Sequence, residues 1–310
     1  MRDQAPTTRV FRAPQVRAAI VSVGAGVAIL LFKFAAYVLT GSVAILSDAA
    51  ESVVNVVAAN VALISLVVAS RPPDEGHPYG HAKAEYVSGA TEGAMIFLAG
   101  GWILVTAGVR LFHPLPLRNL DWGLGVLALA TVANYLTARF LLRVSREAHS
   151  VALEADAKHL LADVLTSVGV LLGLGLAWVS RQPRVDAIIG ALVAVHVLRL
   201  GVLVYLQSVG GLMDTGLPPD EAAAVRGILD AHQAQIVEYH ALRARRAGSH
   251  RFLDLHLVLH RTLEVGEAHA LCDHLEQHIQ EALPGADITI HVEPCEDTCP
   301  VCGPRTAQTP

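Results

Sequence analysis

Two segments of fourteen residues place ionisable side chains at matching offsets inside apolar sequence. The first runs from Ser42 to Asn55 (SVAILSDAAESVVN), and the second, 108 positions later, runs from Ser150 to Asp163 (SVALEADAKHLLAD). The matching polar residues are Asp48, Glu51 and Asn55 in the first segment and Asp156, His159 and Asp163 in the second. Spacings of three and then four residues put each trio on one face of a helix.

These side chains suit a metal ion. Carboxylates and imidazoles are costly inside a membrane, so they mark functional sites and have partners. Three oxygens and one nitrogen, enough for a tetrahedral site for zinc or a similar ion, come from Glu51, Asn55, His159 and Asp163. The alternative is a pair of helices whose polar faces only hydrogen-bond to each other. Asp48 and Asp156, one turn earlier, are either further ligands or hydrogen-bonding groups near helix ends.

The elements that must position these residues are membrane helices. The chain has 310 residues, of which 53% are hydrophobic and 16% charged, whereas a soluble domain has roughly 25% charged residues. Apolar runs of membrane length lie at 18–39, 43–69, 87–111, 122–144, 159–180 and 185–206. The sequence therefore predicts six transmembrane helices within residues 1–210, the first too long to be a removable signal peptide. The net charge of −5 gives no sign of a nucleic-acid partner.

The distribution of Lys and Arg predicts the orientation. More of them flank the amino terminus and the second and fourth connections than the opposite side, which places both termini in the cytoplasm. The expected location is a bacterial inner membrane. The second and fifth spans then run in opposite directions. Spans one to three and four to six would be inverted halves, with the substrate site at their interface.

The remainder of the chain is polar and reads as a small α/β domain over residues 211–294. Residues 211–310 hold most of the histidines and all four cysteines. Strict alternation in Arg251 to His260 (RFLDLHLVLH) predicts a half-buried strand. Helices are expected at 219–233 and 265–283 and the other strands at 236–246 and 288–292, in the order αββαβ, with a short tail over 295–310.

Two further clusters could hold metal. Asp74, His77 and His81 lie in the loop between spans two and three, where the alternative is an ordinary polar turn. In the polar domain, ligands come from several elements, where the alternative is a solvated surface. These ligands are His240, His256, His269, His291 and Glu293.

The tail carries a fourth candidate site. Cys295, Cys299 and Cys302 fall within eight residues, and His291 just upstream would complete a Cys3His zinc site. Cysteines on the cytoplasmic side stay reduced, which favours metal over disulfides. A redox pair at Cys299 and Cys302 or a disordered tail are the alternatives.

The chain resembles the cation diffusion facilitator family of divalent-metal transporters over about residues 15 to 293. The segments that carry the resemblance are GSVAILSDA (41–49), HPYGHAKAE (77–85), EADAKHLLADVLTS (154–167) and GGLMD (210–214). It implies a homodimer with six spans and a cytoplasmic domain similar to a metallochaperone. It also implies export of zinc or a related ion from the cytoplasm by exchange with protons.

The resemblance also assigns roles to residues. It places the transport site at Glu51, Asn55, His159 and Asp163, although Glu51 and Asn55 depart from the family's usual Asp or His and Asp. These departures leave the transported metal open: zinc is the first candidate, and iron, manganese, cobalt, nickel and cadmium are the alternatives. The resemblance supports the loop and cytoplasmic sites, with Glu293 where Asp is common. It implies a charge interlock between Lys83 and Asp214, and it has no counterpart of the cysteine tail.

Two other functions are alternatives to transport. A membrane-bound metal sensor would use the soluble domain without moving ions, and uptake into sealed vesicles distinguishes the two. An intramembrane metalloenzyme would need a ligand and base motif such as HExxH, which the chain lacks. The sequence thus predicts a secondary transporter rather than an enzyme.

Overall fold

The computed structural model describes residues 13–40, 43–112, 120–180, 184–296 and 299–302. Within the helices, the side chains of Asp48 and Glu51 lie outside the described part. The chain divides into two compact units, Met1–Leu212 and Met213–Pro310.

The first unit is built from six long helices. They are α1 (Pro14–Thr40), α2 (Val43–Ala69), α3 (Ala84–Phe112), α4 (Leu120–Ala148), α5 (Val151–Ser180) and α6 (Arg184–Leu212). Each helix is 27 to 30 residues long, and at 1.5 Å per residue that length exceeds the hydrocarbon core of a bilayer, which is about 30 Å thick.

Among the described residues, four segments are both long and apolar enough to cross a membrane. They are Pro14–Ala35, Ala84–Phe112, Gly125–Ala148 and Ala187–Leu212. Large apolar side chains such as Leu98, Trp102 and Leu192 point outward from these helices, as lipid-facing side chains do. The prediction of a multi-pass helical membrane domain is therefore confirmed, with four clear spans. The other two predicted spans correspond to α2 and α5, which carry the polar trios.

Helices α3 and α6 approach each other closely through glycines. A Cβ atom at Gly93 would lie 2.5 Å from the backbone nitrogen of Tyr205, and one at Gly201 would lie 2.6 Å from that of Phe97. Both positions must therefore lack a side chain, which is how small residues let membrane helices pack backbone to backbone. By contrast, a Cβ at Gly101 would meet nothing within 4 Å.

The other four helices share a second contact region. Val16 of α1, Leu66 of α2, Leu141 of α4 and Leu153 of α5 belong to one buried apolar cluster. Further along the same helices, Asn55, Asn134, Asp156 and His159 are also buried. The packing of α1, α2, α4 and α5 therefore buries three of the polar residues that the sequence singled out, Asn55, Asp156 and His159.

The second unit has the predicted order αββαβ. Its elements are α7 (Pro219–Ala231), β1 (Glu238–Ala247), β2 (His250–Leu259), α8 (Val265–Ala282) and β3 (Ala286–Pro294). The sheet order is β1-β2-β3, with β1 antiparallel and β3 parallel to β2. Because β2 alternates, its four leucines at 253, 255, 257 and 259 share one face and form the core with Leu275 and Ile279 of α8. The opposite face of the sheet is left for polar residues.

A buried ion pair joins this core to α7. The Arg251 guanidinium donates to both carboxylate oxygens of Glu221, at 2.6 Å and 2.9 Å. The two side chains are 5% and 13% exposed, so the bidentate pair fixes α7 against β2. Hydrogen bonding to Glu221 raises the pKa of Arg251, which therefore stays charged.

Candidate metal sites

An asparagine of α2 joins the two polar residues of α5. The Asn55 amide nitrogen donates to the Asp163 carboxylate, and the Asn55 amide oxygen lies 3.0 Å from His159 Nε2. Asn55 and His159 are buried, and Asp163 is half-buried. Three of the four residues predicted for the transport site thus meet in one place.

The proton position in this group can be assigned from the hydrogen bonds. A carboxylate only accepts hydrogen bonds, so the amide nitrogen of Asn55 must face Asp163. The amide oxygen then faces His159, and since that oxygen also only accepts, His159 Nε2 carries a proton. A metal ion that binds through Nε2 must displace this proton.

Asp156 has a hydrogen-bonding role one turn before His159. Its carboxylate is buried and accepts a 2.7 Å hydrogen bond from the Ser22 hydroxyl of α1. The same serine lines a small cavity of about 10 Å³, close to the minimum that one water needs. Its polar lining is Ser22, Ser52, Asn55 and Asn134. Sequence reasoning missed Ser22, Ser52 and Asn134, because single small polar residues in apolar helices give no spacing signal.

The beginning of α5 is held by a glutamate of α3. Glu85, which is buried, accepts a 2.6 Å hydrogen bond from the Ser150 hydroxyl and a 3.3 Å hydrogen bond from the Ala152 N–H. Ser150 in turn receives the Leu153 N–H at 3.4 Å, as a capping residue does. Sequence reasoning did not assign Glu85 a role, although it ends the segment HPYGHAKAE. This carboxylate ties the helix that carries His159 and Asp163 to α3.

The loop between α2 and α3 brings its predicted ligands together. Asp74 Oδ1 lies 3.1 Å from His77 Nδ1, and Asp74 Oδ2 lies 3.4 Å from His81 Nε2. The His77 backbone N–H also donates to Asp74 at 2.7 Å, and this bond is the main cause that lowers the pKa of Asp74. One atom from each residue lies within 4.8 Å of the others, so the three can hold one ion.

Three histidines form a row across the sheet of the second unit. His240 of β1 pairs with His256 of β2, which pairs with His291 of β3. Glu293 reaches all three, since its carboxylate oxygens lie 2.8 Å from His256 Nδ1, 3.5 Å from His240 Nε2 and 3.7 Å from His291 Nε2. The ligand atoms of His240, His256 and Glu293 lie within 4.8 Å of one another, so one ion could be bound there.

His269 does not join that row. It lies on α8, which packs on the leucine face of the sheet, and its Nδ1 is 3.7 Å from Asp273 on the same helix. Within one chain, the predicted set of five cytoplasmic ligands is therefore split into the three histidines of the row with Glu293, and the separate His269. The interlock of Lys83 with Asp214 stays a prediction. Asp214 forms a 3.0 Å ion pair with Arg245 inside the second unit.

The cysteine tail has a different histidine from the expected one. Four residues of a strand span about 13 Å, so His291 lies too far from Cys295 to share its ion. His260 takes its place, with Nδ1 3.4 Å from Cys302 Sγ and 3.7 Å from Cys299 Sγ. The backbone N–H groups of Cys302 and Val301 lower the pKa of Cys299 to about 6.

Sequence reasoning missed a cluster of three histidines on the helical side of the second unit. His274 and His278 lie one turn apart on α8, and with His232 they bring ligand atoms within 4.8 Å of one another. His232 Nδ1 donates to the Ile228 carbonyl at 2.7 Å, so Nε2 is the nitrogen of this ring that could bind a metal. The i, i+4 spacing of His274 and His278 was the available signal.

Comparison with known proteins matches both units. A family model for the cation efflux transmembrane domain covers residues 19–213, and one for the cytoplasmic domain of cation efflux proteins covers 217–295. An uncharacterized transporter of Synechocystis, sll1263, is 39% identical over 90% of each chain. The cation-efflux pump FieF of Salmonella typhi is 31% identical over 90% of this chain and 92% of its own. A solved structure of CzrB in its Zn form is 46% identical and covers 26% of this chain and 92% of that one, with a TM-score of 0.25. The chain is therefore a member of the cation diffusion facilitator family, whose members are cation efflux proteins.

Proposed function

We propose that this protein exports divalent cations, zinc first among them, from the cytoplasm in exchange for protons. The observation that carries the proposal is the contact of Asn55 with both His159 and Asp163 between two long helices. Buried polar groups of this kind are otherwise hard to reconcile with a membrane. The family and its cation-efflux relatives support the same conclusion.

In this mechanism the ion and a proton compete for the same atoms. Metal from the cytoplasm binds Glu51, Asn55, His159 and Asp163 and displaces the proton of His159 Nε2. The helices then rearrange around the fixed site and open it to the other side. Protons entering from there return to His159 and release the ion, since a protonated imidazole nitrogen cannot bind metal.

The remaining sites have supporting roles in this proposal. The protein acts as a homodimer in a bacterial inner membrane, with both termini in the cytoplasm, and the match to the cytoplasmic domain of cation efflux proteins supports this arrangement. Metal at His240, His256, His291 and Glu293 would favour transport only if it binds one conformation more tightly than the other. The loop ligands Asp74, His77 and His81 lie before α3, whose Glu85 holds the first turn of α5.

The test is ion flux into sealed proteoliposomes under an imposed pH gradient. Zinc, iron, manganese, cobalt, nickel and cadmium are offered one at a time, and both the metal and the internal pH are followed. We expect metal uptake with proton movement in the opposite direction. Metal binding without any uptake would indicate a sensor instead, and uptake that is insensitive to the gradient would exclude proton exchange.

Two substitutions connect flux to the site. His159→Ala and Asp163→Ala should each abolish flux while leaving the protein folded and dimeric by size-exclusion chromatography. His196→Ala is the matched control, because His196 lies on α6 with an outward-facing side chain. Near-normal flux in either site variant at saturating metal would refute the assignment.

A further inference from the structure

The parallel pairing of β2 and β3 brings two residues with metal-ligating side chains to the same end of the sheet. Leu259 pairs with Pro294, the last residue of β3, and the next N–H, of Cys295, donates to the Leu259 carbonyl at 2.8 Å. His260 directly follows Leu259. His260 and Cys295, which directly follow the two strands, are therefore neighbours, although they are 35 positions apart in sequence.

The tail then turns back over the same point. The Cys299 N–H donates to the Glu296 carbonyl at 3.1 Å. The Arg261 guanidinium donates to the carbonyls of Glu296 and Cys302, each at 3.4 Å. These contacts hold Cys299 and Cys302 close to the side chains of His260 and Cys295.

The distances match the edges of a tetrahedron around one ion. With Zn–S of about 2.3 Å and Zn–N of about 2.0–2.1 Å, ideal edges are about 3.8 Å between sulfurs and about 3.6 Å between sulfur and nitrogen. Cys295 Sγ lies 3.4 Å from Cys302 Sγ. His260 Nδ1 lies 3.4 Å and 3.7 Å from the sulfurs of Cys302 and Cys299. All four cysteines of the chain are free thiols.

We propose that His260, Cys295, Cys299 and Cys302 form a closed Cys3His site for a thiophilic divalent cation, with zinc the first candidate. Four protein ligands leave no open position, which is the mark of a structural site rather than a transport site. The ion would hold the tail against the ends of β2 and β3. This site goes beyond the transport function and does not depend on it.

Charge and burial agree with this assignment. Three thiolates and a neutral imidazole carry a charge of −3, so a dication leaves −1 at the site, next to the guanidinium of Arg261. Cys295 and Cys299 are 4% and 8% exposed, as the ligands of a closed site are. A redox pair of Cys299 and Cys302 would leave His260 and Cys295 without a role in the cluster.

Cobalt distinguishes this site from the other metal clusters, because thiolate ligands give Co²⁺ an intense charge-transfer absorption that imidazoles and carboxylates do not. The experiment uses full-length protein in detergent under reducing conditions. We expect this band in the wild type and in Asp163→Ala, with loss of the band in the double variant C299S/C302S. His260→Ala should weaken binding and alter the tetrahedral visible bands.

Zinc content and flux complete the test. The variant C299S/C302S should hold about one zinc fewer per chain than the wild type while transport continues. Cys272→Ser is the matched control, since Cys272 is buried in the core of the second unit and belongs to no cluster of ligands among the described residues. Equal zinc in C299S/C302S and wild type would overturn the proposal, and so would a His260→Ala protein with unchanged cobalt spectrum and affinity.

One measurement needs no variant. Zinc should slow alkylation of Cys295, Cys299 and Cys302 in the native wild-type protein and leave the rate at Cys272 unchanged, with mass spectrometry locating each adduct. Equal alkylation rates of the tail thiols with and without zinc would refute the site even if the variants failed to fold.

Discussion

Replacing Asn55 by Asp should increase the number of protons exchanged for each metal ion. With a neutral His159, the four proposed ligands carry −2, from Glu51 and Asp163. Asn55→Asp makes the total charge of the ligands −3. It also replaces an amide that donates to Asp163 by a second carboxylate in the same buried place. Two carboxylates in contact share a proton in preference to both being ionised, and the metal must displace that proton.

The expected size follows from proton linkage. Each additional proton displaced adds about a factor of ten to the change in metal affinity per pH unit. Asn55→Asp should therefore steepen the pH dependence of metal affinity by up to about tenfold per pH unit relative to wild type. Because carboxylate oxygens are ligands that suit manganese, we also expect affinity for manganese to rise relative to zinc.

Competition binding of zinc, manganese and cadmium at several pH values measures both effects. Asn60→Asp is the matched control, because Asn60 lies on the same helix and bonds its own helix backbone, the Val56 carbonyl, at 2.7 Å. Its pH slope should equal that of the wild type. Identical metal ranking and identical slopes in Asn55→Asp and wild type would mean that Asn55 is a packing residue and not a ligand.

Two further predictions concern the framework. Gly93→Ala should lower the yield and melting temperature of the folded membrane unit, because the new Cβ has no space against α6. Gly101→Ala is the control and should leave both unchanged. Equal melting curves for the two variants would refute the close packing. Glu221→Ala should cost about 3–5 kcal/mol in urea unfolding of the second unit, because it leaves the Arg251 guanidinium buried without its carboxylate. Asp254→Ala, which removes an exposed ion pair, should cost less than about 1 kcal/mol, and similar losses in the two variants would contradict the burial argument.

The elements of the second unit could be predicted because their signals are local. Alternation of leucines along β2 fixes one buried face, and α8 opens with a capping box of Glu264 and Glu267. The polar trios of α2 and α5 were also visible, since helical spacing places them on one face. Contacts between helices were not visible, and so the partners Ser22 of Asp156 and Ser150 of Glu85 came only from the structure.

Metal ligands also differ in how well the sequence predicts them, and the difference depends on whether a helix or a sheet carries them. A helix presents ligands at i and i+4, so His159 with Asp163, or His274 with His278, can be found by counting along the sequence. A sheet presents ligands across strands, and their partners depend on strand order and register. Counting back from Cys295 reached His291, which lies on the strand directly before it, whereas the parallel register reaches His260. In this fold, residues that directly follow two neighbouring parallel strands are therefore better candidates for a shared metal site than residues that are close in sequence.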